Sequence, residues 1–130
     1  MSFEKLVLGT AQLGADYGIA YTSRKITKLE FASIMHTSSN KGVSCIDTAV
    51  AYGDSHKILG HIGISDWNIT TKLPPVPLDI NTVEKWYRDV IACSLKDLRI
   101  SKIDTLLLHR SGDLVGSVGY KLQRLLERSR

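Results

Sequence analysis

The sequence predicts an α/β fold: a parallel sheet of about four strands, each followed by a covering helix. Three observations carry that expectation. Apolar runs of strand length alternate along the chain with segments whose apolar residues recur at helical spacing. The 130 residues are 43% hydrophobic, which allows a sizeable core in one domain spanning 1–130. Each run from the second to the fourth stops at an ionisable residue, Asp47, Lys72 or His109, as expected where strand ends line a common pocket.

Lys5 to Leu8 is a short apolar run ending at Gly9, and it reads as the first strand. A helix is expected from about Lys28 to Lys41. Thr27 with Glu30 three residues on forms a capping-box pattern, Phe31, Ile34 and Met35 share one face, and Gly42 supplies the stop. The second unit opens with Val43 to Ile46, crosses a polar loop and enters a short helix near Ser55 that carries Ile58, Leu59 and Ile62. The third strand is Asn68 to Leu73. Pro74, Pro75 and Pro77 stiffen the next loop, and a helix starts after Asn81, which forms a second capping-box pattern with Glu84. Val83, Trp86, Val90, Leu95 and Leu98 recur along that helix at three- to five-residue intervals. The fourth strand is Ile103 to Leu108, with Leu106, Leu107 and Leu108 reading as buried on both faces, and Val118, Leu122, Leu125 and Leu126 mark a final helix.

Strand–helix units in series imply parallel strands with right-handed crossovers, because parallel neighbours need a covering connection. Two architectures fit. A doubly wound sheet would announce a nucleotide site with a G-x-G-x-x-G turn after its first strand, and the run Gly9 to Gly14 lacks that spacing. The other is part of a (β/α)8 barrel, whose chemistry gathers at the C-terminal ends of its strands. The barrel accounts for the ionisable residues, since it brings Asp47, Lys72 and His109 together, with Tyr52 five residues past Asp47 in a loop that can fold over the same mouth.

An acid, a base, an imidazole and a phenol converging on one pocket suit carbonyl reduction, in which hydride arriving at carbon leaves an oxyanion that must gain a proton. Tyr52 can donate it. A phenol ordinarily holds its proton to about pH 10, and an adjacent ammonium such as Lys72 would stabilise the phenolate and make the donor effective. Asp47 would hold Lys72 charged and in place, and His109 could donate a hydrogen bond to the carbonyl oxygen. Taken singly, such residues usually serve as caps, ion-pair partners or solvated side chains; their order at successive strand ends is what points to chemistry.

The stretch Asp47-Thr48-Ala49-Val50-Ala51-Tyr52-Gly53 resembles the aldo-keto reductase pattern Asp-Thr-Ala-x-x-Tyr-Gly, and Thr71-Lys72 and Leu108-His109 resemble the next two signatures of that family. The resemblance implies a parallel (β/α) TIM barrel with Tyr52 as general acid, Lys72 and Asp47 tuning it, and His109 orienting the substrate. It also implies NADP as cofactor, touched by Gly9, Thr10, Ala11 and Asp47, and a small-molecule carbonyl substrate. The wider run Gly9 to Gly18, with Gln12 and Tyr17-Gly18, is similar to a branch associated with sugar or polysaccharide metabolism. His56 departs from the acidic residue the family often places after the serine.

The resemblance covers the whole chain but about half of a barrel that typically needs about 250 residues. The expected fold is therefore a half-barrel truncated to about four βα units, without the later loops that grip a nicotinamide and bind its phosphates. NADP binding and turnover are expected to be impaired. Two open edges and the apolar residues of a barrel interior predict self-association. The alternatives are a catalytically silent half-barrel acting as an assembly or binding module, or as a truncated gene product, and a basic interaction protein.

Other classes are disfavoured. The formal charge is +4, and Lys121, Arg124, Arg128 and Arg130 at helical spacing read as a solvated face, which argues against nucleic acid as a partner. Cys45 and Cys93 read as buried thiols in a reducing compartment. With no His-x-x-x-His pair and no Cys-His cluster, no metal site is expected. His36 reads as surface or boundary, His61 as a partner for helix carbonyls, and Trp67 and Trp86 as packing residues. No apolar stretch reaches ~18–20 residues and the start lacks a leader pattern, so a soluble cytoplasmic protein is expected.

Overall fold

The computed structural model describes residues 5–14, 26–79 and 81–129. Tyr17, Gly18 and Arg130, singled out in the sequence, lie outside the described residues. Four parallel strands, β1 (Val7–Gly9), β2 (Cys45–Asp47), β3 (Asn68–Leu73) and β4 (Thr105–Leu108), pair in the order β1-β2-β3-β4. Helices α1 (Ala11–Gly14) and α2 (Lys28–Ser39) follow β1, α3 (Ser55–Ile62) follows β2, and α4 (Val83–Leu98) follows β3. A 3-10 turn (Ser111–Leu114) and α5 (Gly116–Glu127) follow β4. Strand order equal to chain order, with a helix between neighbours, is the arrangement of consecutive barrel units.

Local chemistry explains the start of α2. At α2 the Thr27 hydroxyl accepts from Glu30 N–H at 3.2 Å, while the Glu30 carboxylate accepts from Thr27 N–H at 2.9 Å, so the capping box forms. The second box does not form. Asp79 takes over that turn, accepting from Asn81 N–H at 2.9 Å, and Glu84 is drawn instead to Arg88 at 2.6 Å. Two short elements, α1 and the 3-10 turn, were not foreseen, because neither is long enough to show a period.

The core lies between the sheet and its helices. Leu13, Phe31, Met35, Ile46, Leu59, Ile64, Ile69 and Leu98 form one cluster, and Leu73, Val76, Val83, Tyr87 and Leu122 form a second. Ile34 is 39% exposed, so the inward face of α2 is the i, i+4 pair Phe31 and Met35. Trp67 and Trp86 pack against the clusters as expected. Cys93 is exposed rather than buried, because it lies off the α4 face that carries Val83, Tyr87, Ser94 and Leu98.

The other side of the sheet carries no helix among the described residues. Registered residues share a face in a parallel sheet, so Gly9, Asp47, Thr70 and Thr105 form one row, with Lys72 and Leu107 in the next. Burial alternates along β3 with Asn68, Thr70 and Lys72 on the more open side. Leu107, read from the sequence as buried, is 43% exposed on this face. The expectation of an apolar barrel interior is also corrected: Val7 and Leu107 are its large apolar side chains, and the rest are small, polar or charged.

Candidate active site

The polar residues collect where the strands end. Past β2 the chain stays tied to β3, with Thr48 N–H donating to Thr70 O at 2.9 Å, before it turns at Ala49 to Tyr52, closed by Tyr52 N–H to Ala49 O at 3.1 Å. Gly53 follows at φ +56°, a conformation that favours glycine. A Cβ at Gly14 would stand 1.7 Å from the Tyr52 carbonyl oxygen, so α1 rests directly on the Tyr52 turn and only glycine permits the approach. His109 leaves β4 with its N–H on Leu73 O at 3.2 Å.

On the open face Lys72 donates to Asp47 Oδ1 at 2.6 Å and to Thr48 O at 3.0 Å. The Lys72 side chain is 17% and the Asp47 side chain 34% exposed, so the pair is partly screened from water. Lys72 Nζ lies 5.3 Å from the centroid of the Tyr52 ring, within cation–π range. The Tyr52 and His109 rings meet edge to face, with centroids 6.1 Å apart and planes at 79°. The four residues are thus linked at one mouth, the phenol ring being near both the ammonium and the imidazole.

Beside them is a cavity of about 290 Å³ lined by Gly9, Thr10, Ala11, Gln12 and Leu13 after β1, by Ile26 and Phe31, and by Asp47 and Tyr52. A Cβ at Gly9 would meet nothing within 4 Å, so the wall there is bare backbone. Thr10 lines the cavity but turns its hydroxyl inward, donating to Asp47 O at 3.1 Å. The bare backbone at Gly9 thus leaves open space next to Asp47 and Tyr52.

His56, a departure from the family pattern, has a structural place. It is buried, with Nε2 3.0 Å from Thr71 Oγ1 behind the strand that carries Lys72. Desolvation lowers its pKa to about 4, against a smaller opposing effect of Asp97. Thr48 and Ser55, also unforeseen, are fully buried hydroxyls beneath the mouth. The hydroxyls give little sequence signal, since nothing local tells a buried serine from a cap. His61 meets the expected helix carbonyl, Lys57 O, at 2.6 Å, and His36 is exposed. Among the described residues no group of acidic, histidine or cysteine side chains could hold a metal ion, and no helix is long and apolar enough to cross a membrane.

A parallel sheet in barrel order, with polar residues at its C-terminal ends, defines the class: a unit of a (β/α) barrel arranged as a half-barrel. The profile of the Aldo/keto reductase family matches residues 5–114, and the chain belongs to that family. Two solved structures from Pseudomonas aeruginosa, both described as candidate aldo-keto reductases, superpose with TM-scores of 0.73. One is 27% identical, over 95% of this chain and 51% of its own, and the other 24% identical, over 95% and 49%. The chain thus spans about half the length of the solved structures it matches. No curated protein matches the sequence.

Proposed function

We propose that this chain carries the proton-donating half of an NADP-dependent reductase of aldehydes or ketones. The observation that carries the reading is the Lys72–Asp47 pair at 2.6 Å, set beside the Tyr52 ring and facing His109. Gly9, Thr10, Ala11 and Asp47 would hold the nicotinamide end, which when bound supplies the hydride. The chain's own residues do the rest. Tyr52 gives its hydroxyl proton to the carbonyl oxygen as that oxygen becomes negative. Lys72 stabilises the phenolate left behind, Asp47 keeps the ammonium charged and aimed, and His109 donates a hydrogen bond that orients the carbonyl.

The 130 residues alone would turn over little. Hydride transfer needs near-attack geometry, which can account for roughly 7–11 kcal/mol of a barrier, and the chain spans about half the length of the solved structures it matches. Among the described residues β1 and β4 are the outer strands, and with Val7 and Leu107 exposed they support self-association, which sedimentation reads. The same edges favour the second reading, a catalytically silent half-barrel that serves assembly or binding. A cytoplasmic location is supported by two free thiols.

NADPH fluorescence titration, followed by oxidation with a reactive aromatic aldehyde, tests the proposal. The chain alone should be nearly inactive. Fused to the second half of a matched Pseudomonas structure it should oxidise NADPH, at a rate that Tyr52→Phe lowers roughly 10²–10⁴-fold. A fused protein that binds NADPH and is indifferent to Tyr52→Phe would remove the assignment of Tyr52. Micromolar binding with Tyr52-dependent turnover by the chain alone would remove the impairment.

A further inference from the structure

We propose that Ser55 is a positioning residue for Lys72, acting through a buried one-way relay of three hydroxyls. The inference rests on the reading that Lys72 and Tyr52 form the proton-donating pair. Thr48 Oγ1 lies 3.0 Å from Ser55 Oγ, Ser55 Oγ donates to Thr10 Oγ1 at 3.1 Å, and Thr10 Oγ1 donates to Asp47 O at 3.1 Å. Each hydroxyl has one proton. A carbonyl can only accept, so Thr10 spends its proton on Asp47 O, Ser55 must donate to Thr10, and Thr48 must donate to Ser55. The direction is therefore fixed from Thr48 through Ser55 and Thr10 to Asp47.

Thr10, Thr48 and Ser55 are 1%, 0% and 0% exposed, so water does not compete for these bonds. The relay joins the segment after β1, the segment after β2 and the first residue of α3. It also grips the peptides that locate Lys72. Asp47 O takes both the Thr10 hydroxyl and the Thr10 N–H, the latter at 3.1 Å. Thr48 is held at N–H by Thr70 O, at its hydroxyl by Ser55, and offers its carbonyl to Lys72 at 3.0 Å. Ser55 N–H, in turn, donates to Tyr52 O at 3.1 Å. One residue thus fixes the turn bearing the phenol and, through its hydroxyl, the second acceptor of the ammonium.

A relay that merely satisfied buried hydroxyls would affect stability but not Lys72 in particular, and that difference is measurable. Hydrogen exchange of the Lys72 ammonium, read by ¹⁵N NMR on the 130-residue chain, should quicken roughly tenfold in Ser55→Ala, the scale set by loosening one hydrogen bond to a charged group. Exchange of the Ile46 and Ile69 amides should stay unchanged, and Ser55→Thr, which restores a hydroxyl, should restore slow exchange at Lys72. Thr48→Val removes the first donor without changing shape and should reproduce the effect if Ser55→Ala folds poorly. Unchanged ammonium exchange in both variants would overturn the proposal, as would equal quickening of core amides or loss of the fold in both. The readout needs no turnover: a failed Tyr52→Phe test with a positive result here removes the reductase reading and leaves the relay standing.

Discussion

The two faces of the sheet differ in chemistry as much as in burial. Toward the helices, Ile46, Ile69, Thr71 and Leu73 are at most 1% exposed: Ile46 and Ile69 belong to the first cluster with Phe31, Leu59 and Leu98, Leu73 to the second with Val83 and Leu122, and Thr71 meets His56. On the open side the same strands present Asp47, Asn68, Thr70 and Lys72, none of them buried. Neighbours in sequence therefore have opposite tasks. Lys72 sits in the site while Thr71 and Leu73 are packed behind it. The contrast shows how a short strand can give one face to cohesion and the other to chemistry, without a long-range rearrangement to couple them.

The largest effect that sharpens this contrast is a cavity on the covered face. Phe31 is 2% exposed, and Phe31→Ala should cost about 3–5 kcal/mol in urea denaturation. Thr70→Ala on the open face should cost less than about 1 kcal/mol. Equal costs would break the distinction.

A smaller effect should appear with pH. His56 belongs to the covered face, and its pKa is lowered to about 4, chiefly by burial, from 6.5. Between those values the unfolded chain binds more protons than the folded one. The stability from the neutral ring is complete above about pH 6.5 and is lost as pH falls toward 4, by on the order of 3 kcal/mol. His56→Gln should flatten the stability profile over that window relative to the wild type. Parallel profiles would show that the ring is charged at little cost and that its burial has been misjudged.

The legible parts of the molecule were those with local periodic signals. β3 ran from Asn68 to Leu73 as read, and the Thr27 box closed as its spacing required. Asn81 carried the same spacing, yet Asp79 won its N–H, a competition between two polar side chains that a pattern cannot rank. Leu107 was misread because three consecutive leucines look alike whichever side a helix covers. That Asp47, Tyr52, Lys72 and His109 come near one another was legible because barrel order places strand ends together. What lay beneath them could not. The support of the Tyr52 turn by Gly14, and the hydroxyl relay through Ser55, depend on contacts between segments distant in sequence, for which single residues leave no local mark.

The most direct test of the division between faces compares adjacent residues, Lys72 and Leu73, in the fused protein. Lys72→Met should lower reduction of an aromatic aldehyde by at least roughly 10²-fold, while changing stability by less than about 1 kcal/mol, since its ion pair is only partly buried. Leu73→Ala should do the reverse, lowering stability by about 2–5 kcal/mol while the molecules that remain folded keep most of their kcat. The account is contradicted if Lys72→Met leaves reduction intact, or if Leu73→Ala removes activity without loss of stability.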